Sequence, residues 1–188
     1  STDEYPVFRD VSKEKSFIIL KKDLKDLINK IIFCVATEDT RPALKGCCLT
    51  VKDNTLEGVS SDGFRLALAK KTMKCNGMEE SIVVPAKSLL ELGKLMDDEE
   101  ESISVYVEKN SIMVDLFHTK LVSRLIAETY MSYDKIIQVD VQTEVTLDKK
   151  LFENAMERVS IISRGAKNGN VNFDIKEDSI TLGAESSD

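Results

Sequence analysis

Phe17-Ile-Ile-Leu-Lys-Lys-Asp-Leu-Lys-Asp-Leu-Ile-Asn-Lys-Ile-Ile-Phe-Cys-Val-Ala36 is the stretch that decides the fold. Its first four residues form a β-branched and aliphatic run suited to a strand. From Lys21 the period changes. Leu24, Leu27, Ile28, Ile31 and Val35 fall at i, i+3, i+4, i+7 and i+11, one apolar stripe on a helix predicted over 21–36. The same junction recurs downstream. Ile82-Val-Val84 leads into Pro85 and a helix to Met96 with Leu89, Leu92 and Met96 inward; proline suits the first helical position. Val145-Thr-Leu147 leads into Asp148, a predicted N-cap, and then Phe152, Ala155, Met156, Val159 and Ile162 on one face. Leu20, Pro85 and Asp148 stand 65 and 63 residues apart.

A second element travels with the first. Val51-Lys-Asp-Asn-Thr-Leu56, Val107-Glu-Lys-Asn-Ser-Ile112 and Ile175-Lys-Glu-Asp-Ser-Ile180 share one pattern: β-branched, two charged or polar residues, Asn or Asp, a hydroxyl, an aliphatic. This is hairpin chemistry, since Asn and Asp tolerate left-handed backbone. Further strands are expected at Arg65–Ala69 and Lys120–Leu125. Each unit then reads strand, helix, three strands. One unit cannot cover its own apolar face, so two should combine as a helix pair on a continuous antiparallel sheet. The predicted class is α+β. The third unit stops after Gly183 within its strand series, and Ser1 is not a Met. The expected organisation is the end of a preceding domain or linker at 1–14, a complete two-unit domain at 15–134 and a partial domain at 135–188.

At 188 residues and 21.0 kDa, with 42% hydrophobic and 31% charged residues, the chain is neither a disordered tail nor a membrane protein. A net charge of -7 argues against a simple basic nucleic-acid binder. The distribution tells more. Segments 21–36, 85–96 and 148–164 carry ten basic and six acidic residues, so the helices are net positive and the remainder strongly negative. A positive helical face would touch phosphates without reading bases. Asp97-Asp-Glu-Glu-Glu101 reads as a solvated loop.

Positive evidence for catalysis is lacking. No nucleophile elbow, phosphate-binding loop or dinucleotide fingerprint occurs. His118, the one histidine, alternates with Val114 and Leu116 as a strand residue would. Asp62-Gly63 reads as a tight turn between strands. Cys34, Cys47, Cys48 and Cys75 include no C-x-x-C pair, so neither a zinc site nor any other metal or cofactor site is expected. Cys47 and Cys48 should point to opposite faces of a strand, reduced and buried.

Several segments resemble one family. Leu56-Glu-Gly-Val-Ser-Ser-Asp-Gly-Phe-Arg-Leu-Ala67 is similar to the "ATDGHRLA"-type segment of the bacterial DNA polymerase III beta subunit, the sliding clamp. Thr37-Glu-Asp-Thr-Arg-Pro-Ala-Leu-Lys-Gly46 resembles that family's loop between the first helix and the next strand of its middle domain. Ser81-Ile-Val-Val-Pro-Ala-Lys87 resembles the second strand–helix entry, and Lys120-Leu-Val-Ser-Arg-Leu-Ile126 the strand before the interdomain link. Glu4-Tyr-Pro6 looks like the end of a preceding linker. The resemblance runs in order along the chain, as the middle domain plus the first part of the C-terminal one.

It implies a DNA-clamp fold in which helices line a hole and sheets form the outer wall. Two three-domain chains would close head to tail around duplex DNA as a homodimeric ring. The ring tethers the DNA polymerase III catalytic subunit and is set in place by a clamp loader; it is not itself an enzyme. Other polymerases and repair proteins would dock by short peptide motifs, in the bacterial cytoplasm and without a membrane. The implied peptide pocket comprises Leu44, Ser61, Gly63, Phe64, Arg65, Leu66, Met131, Lys135 and Ile136, with Leu44, Leu66 and Ile136 as apolar walls and Arg65 on the rim. Met131 stands where the family often has Pro, and Phe64 where it often has His or Tyr. Implied DNA contacts are Lys22, Lys25, Lys30, Arg41 and Lys45, with Lys87, Lys94, Lys150 and Arg164. Glu38 replaces a polar residue, and its charge would repel phosphate. The alternatives are a clamp-fold adaptor that does not encircle DNA, and an unrelated enzyme.

Overall fold

A computed structural model describes residues 14–38, 41–75, 77–97, 100–138, 140–163 and 169–185. Glu4-Tyr-Pro6, Asp39-Thr40, Asp98-Glu99 and Arg164 lie outside the described residues. The chain divides into two units at Tyr133/Asp134.

The first unit opens with β1 (Ser16–Leu20) and α1 (Lys21–Ile31). Leu24, Leu27, Ile28 and Ile31 are buried along the predicted stripe. The helix is shorter than its periodicity suggests. It tightens into a 3₁₀ turn at Ile32–Cys34, and buried Ser60 donates its hydroxyl to the Ile31 carbonyl. That bond satisfies a helix-end carbonyl and stops the α-helical ladder, so Val35 ends up beyond it. A second 3₁₀ turn, Pro42–Lys45, leads to β2 (Gly46–Lys52), β3 (Thr55–Ser61), β4 (Leu66–Thr72) and the short β5 (Lys74–Cys75).

The second repeat supplies β6 (Glu80–Pro85), α2 (Ala86–Leu95), β7 (Ser102–Val107), β8 (Ser111–Asp115) and β9 (Lys120–Arg124). Pro85 is not the first helical residue. It pairs with Gly46 as the last residue of β6 and caps α2 from an extended conformation.

The two repeats exchange strands. One antiparallel sheet runs β5-β1-β7-β8-β9 and the other β4-β3-β2-β6. The expected continuous sheet is therefore two sheets, because β1 pairs with β7 of the second repeat while β6 pairs with β2 of the first. This exchange forces a single core. Leu27 and Ile31 from α1, Leu89 and Leu92 from α2, Val51 and Val84 from one sheet and Ile103 and Val105 from the other all join it. Each such fully buried aliphatic side chain contributes about 2 kcal/mol. Cys47 belongs to this core, while Cys48 turns to the opposite face, its Sγ 3.3 Å from Ser81 Oγ.

The three similar hairpins share one register but not one turn. Lys52 pairs with Thr55, and Asp53 and Asn54 between them have φ +48° and +57°. In the other two, Glu108 N–H bonds to Ser111 O and Lys176 N–H to Ser179 O, yet their central residues keep negative φ. Only the first loop has two short polar residues suited to the left-handed form. Asn54 also accepts a hydrogen bond from Cys75 N–H at 3.1 Å. Replacing Asn54 with Ala removes that bond and strains the turn; urea unfolding should show a loss of about 1–2 kcal/mol.

His118 is not in a strand. It follows Phe117, whose φ is +65°, in a γ-turn closed by His118 N–H to Leu116 O at 2.8 Å.

The second unit holds the single helical turn α3 (Asp134–Ile137), α4 (Lys149–Ser163), and the hairpin β10 (Asn172–Ile175) with β11 (Ile180–Gly183). Asp148 caps α4, accepting Leu151 N–H at 2.8 Å. Residues 145–147 are not a strand. Their counterpart β1 is held by β7 of the following repeat, whereas the described residues of this unit offer only the β10–β11 pair. Phe152, Ala155, Met156 and Val159 are half-buried, but Ile162 is exposed.

Candidate functional site

Two neighbouring loops build the candidate groove in the first unit. Ser61 and Leu66 are register partners, so Asp62–Arg65 form a four-residue loop joining β3 to β4. Buried Ser61 Oγ donates to Arg65 O at 2.8 Å and accepts Gly63 N–H at 3.1 Å. Gly63 sits at φ +92°, a conformation that favours glycine. Asp62 Oδ1 accepts the N–H groups of Phe64 and Arg65, each at 3.0 Å, and Oδ2 accepts Arg65 Nε–H at 2.9 Å. Phe64 is left fully exposed.

The second loop follows α1. Ala36 N–H bonds to Leu44 O, and Arg65 Nη2 donates to Phe33 O at 3.2 Å while its guanidinium lies 5.8 Å from the Phe33 ring centre. Arg41 approaches from the same side: a Cβ on Gly63 would stand 3.1 Å from Arg41 Nη2. Ser61, Gly63, Phe64, Arg65 and Leu66 thus share one loop, with the Arg41–Leu44 segment beside it. Leu44 is only 2% exposed, so it supports the groove floor more than it offers open wall.

Met131 belongs to the segment after β9, which is held at both ends. Ile126 N–H bonds to Val83 O at 2.9 Å, and Tyr133 donates its hydroxyl to Glu57, itself paired with Lys70 at 2.6 Å. Burial raises the Tyr133 hydroxyl pKa, as does Glu57. Burial also raises the Tyr130 hydroxyl pKa. Lys135 and Ile136 lie in α3 of the second unit and are exposed.

Among the candidate DNA-facing cations, several are already paired. Lys22 pairs with Glu100, Lys30 with Asp26 at 2.8 Å, Lys94 with Glu91 at 2.9 Å and Lys150 with Glu153 at 3.6 Å. Lys45 and Lys87 are exposed and make no ion pair among the described residues. The Gly46↔Pro85 pairing sets the end of one 3₁₀ turn beside the start of α2, which brings these two lysines to one edge. The described residues of the acidic run are solvent-accessible, and two of them are also engaged: Asp97 and Glu101 hold buried Lys21 at 3.0 and 2.8 Å, and Lys21 N–H bonds to Glu101 O. Sequence reading missed this pairing and the Asp62 latch. Charge alternation alone signals neither.

Asp62 also sets a pH limit. The Arg65 backbone N–H, then the Arg65 side chain and the Phe64 N–H, lower its carboxyl from 3.8 to about 2. Asp26 is lowered by Lys30 and Lys71. A depressed folded pKa stabilises above the unfolded value and loses that contribution as pH falls through the folded one. Thermal midpoints should therefore hold steady above pH 5 and fall between about pH 4 and 2. Asp62→Asn should flatten part of that fall.

Among the described residues, no cluster of His, Cys, Asp and Glu could hold a metal, and no helix is long and apolar enough to cross a membrane.

An α+β domain of two strand-exchanged repeats, helices joined over one core, defines the DNA-clamp class. A family model described as the DNA polymerase III beta subunit, central domain, matches residues 18–131, more than half of the chain. The chain belongs to the DNA polymerase III beta subunit family. It is 32% identical over 174 residues to a beta sliding clamp from Halalkalibacterium halodurans, covering 91% of this chain and 46% of that protein. A beta sliding clamp from Staphylococcus aureus is 27% identical over 184 residues, covering 98% and 49%. The crystal structure of the DNA polymerase sliding clamp from Bacillus subtilis matches with a TM-score of 0.88 and 29% identity, covering 96% of this chain and 48% of that one. The chain spans about half the length of the curated relatives it matches.

Proposed function

We propose that the chain works as part of a sliding-clamp processivity factor: a ring that encircles duplex DNA and tethers the DNA polymerase III catalytic subunit. The observation that carries this reading is the strand-exchanged pair of repeats with α1 and α2 over one core, in a chain whose relatives are named beta sliding clamps. On this reading residues 15–134 are one complete clamp domain and 135–188 part of the next. The ring would be a homodimer closed by further domains, set on DNA by a clamp loader in the cytoplasm, with no catalytic step of its own.

Lys45 and Lys87 are the best-placed phosphate contacts in this scheme, with Lys22, Lys25, Lys30, Arg41, Lys94 and Lys150 in support. An ion-paired lysine must leave its carboxylate before meeting phosphate, so it adds less. The groove of Leu44, Ser61, Gly63, Phe64, Arg65, Leu66 and Met131 would take short peptides from polymerases and repair proteins; Lys135 and Ile136, in the second unit, are proposed as peptide contacts in their own right. Isothermal titration of such a peptide into the protein tests the groove. Leu66→Ala should weaken binding several-fold, and an unchanged affinity would count against this assignment.

A further inference from the structure

We propose that the second repeat carries a docking cleft of its own, beside the β8–β9 loop, and that it takes an arginine-bearing apolar segment of a partner protein. The two repeats build matching loops. Asp115 and Lys120 are register partners, so four residues join β8 to β9, just as Asp62–Arg65 join β3 to β4. In each loop the strand-end side chain accepts the N–H of the second loop residue at 3.1 Å: Ser61 Oγ from Gly63, and Asp115 Oδ1 from Phe117. That residue has positive φ in both, +92° at Gly63 and +65° at Phe117. Where the first repeat has a glycine, the second holds a phenylalanine in backbone that disfavours it. The Phe117 ring is 62% exposed, so packing within the chain does not account for its presence.

The segment that follows α2 lies beside this loop, and together they line a cleft of about 520 Å³, a size suited to a short peptide segment. Leu95 and Phe117, both exposed, supply its apolar walls. Asp97 and Glu101 supply its charge. These two carboxylates share the single ammonium of Lys21, which leaves the trio net negative, and they stay 56% and 39% exposed. The β3–β4 loop instead carries Arg65 with Arg41 beside it, so the two repeats present opposite charge. Exposed carboxylates next to an exposed aromatic ring favour a guanidinium. Its planar fork fits a carboxylate in two parallel bonds, and its face lies against the ring. A phosphate is repelled at the same place, which sets this cleft apart from the DNA-facing lysines. Leucine neighbours of the arginine would occupy the apolar walls.

The probe is acetyl-Leu-Arg-Leu-amide, titrated into the isotope-labelled chain by NMR and compared with the same peptide bearing citrulline, a neutral isostere of arginine. The backbone amides of residues 116–119 should shift saturably, with the citrulline peptide binding about fivefold more weakly. Phe117→Gly keeps the loop, because glycine suits its φ, so the thermal midpoint should hold or rise while affinity for the arginine peptide falls roughly threefold to tenfold. Glu101→Gln should weaken the arginine peptide to a similar degree and leave the citrulline peptide unchanged. Should Glu101→Gln unfold the chain, Phe117→Gly and the citrulline comparison decide the matter between them. Equal affinity for the two peptides would overturn the charge assignment. Wild-type affinity in Phe117→Gly would overturn the role of the ring. Shifts confined to Asp62–Leu66, or no saturable shift at 116–119, would overturn the cleft itself.

Discussion

Leu27→Ala is expected to lower the unfolding free energy by about 3 kcal/mol, and the thermal midpoint by roughly 10 °C. Leu27 is fully buried in the middle of α1. Its Cδ2 stands only 2.7 Å from where a Cβ on Gly58 of β3 would be, so the helix lies close against the sheet at that point. Ile31 approaches the same glycine at 2.8 Å. Truncation opens a cavity between two rigid elements that cannot collapse, since β3 is paired on both sides by β2 and β4. Alanine is the better helix former, so any loss measured is packing and not helix propensity. A change below about 1 kcal/mol would show that α1 does not seal the core as described.

The second large effect concerns charge. Lys45 and Lys87 both changed to Glu should reduce duplex affinity at low salt by tenfold or more. The slope of log K against log salt should become shallower by roughly 0.9 for each phosphate no longer neutralised, about 1.8 for two. Fluorescence anisotropy on a labelled duplex across a salt series reads both quantities. Lys30→Glu combined with Lys94→Glu is the internal comparison, because these two lysines are already engaged with Asp26 and Glu91 and should matter less. Equal effects of the two double changes would mean that ion pairing does not rank these lysines. A Lys45 and Lys87 double variant with an unchanged slope would remove both from the DNA-facing surface altogether.

The repeat was legible because it is written in local periodicity. The stripe from Leu24 to Ile31 and the inward positions Leu89, Leu92 and Met96 follow from helical spacing alone, and all are buried. The Asp148 cap follows from side-chain chemistry in the same way. What escaped depends on interactions between distant residues. The end of α1 at Ile31 is set by a hydroxyl on Ser60. The split into two sheets comes from which repeat β1 and β6 choose as partners. The fate of 145–147 likewise depends on a neighbouring strand and not on its own β-branched residues.

The candidate site divides along the same line. The turn at Asp62-Gly63 was legible from its residues and its place in a groove only from the family resemblance, and the hydrogen bonds of Ser61 and Asp62 show why a serine and an aspartate are useful there. Phe33 carried no signal, since its role is to sit under an arginine 32 residues away. The charge split between helices and sheets was visible as a count. Its effect was not, because Asp26, Glu91 and Glu153 take up lysines on their own helices. Lys21 shows the same thing at longer range, held by Asp97 and Glu101 across the fold. The positive turn at Phe117 has no sequence warning at all, as a bulky aromatic is a poor candidate for φ +65°.

The central claim is topological, and one measurement addresses it directly. The protein would be loaded by its clamp loader onto a nicked circular plasmid, and the amount retained followed by gel filtration before and after the circle is cut. Retention on the circle with loss from the linear form is the predicted result, because a ring holds DNA by enclosure and slides off an end. Equal retention on both forms would contradict the account and leave ordinary surface binding by an adaptor as the explanation.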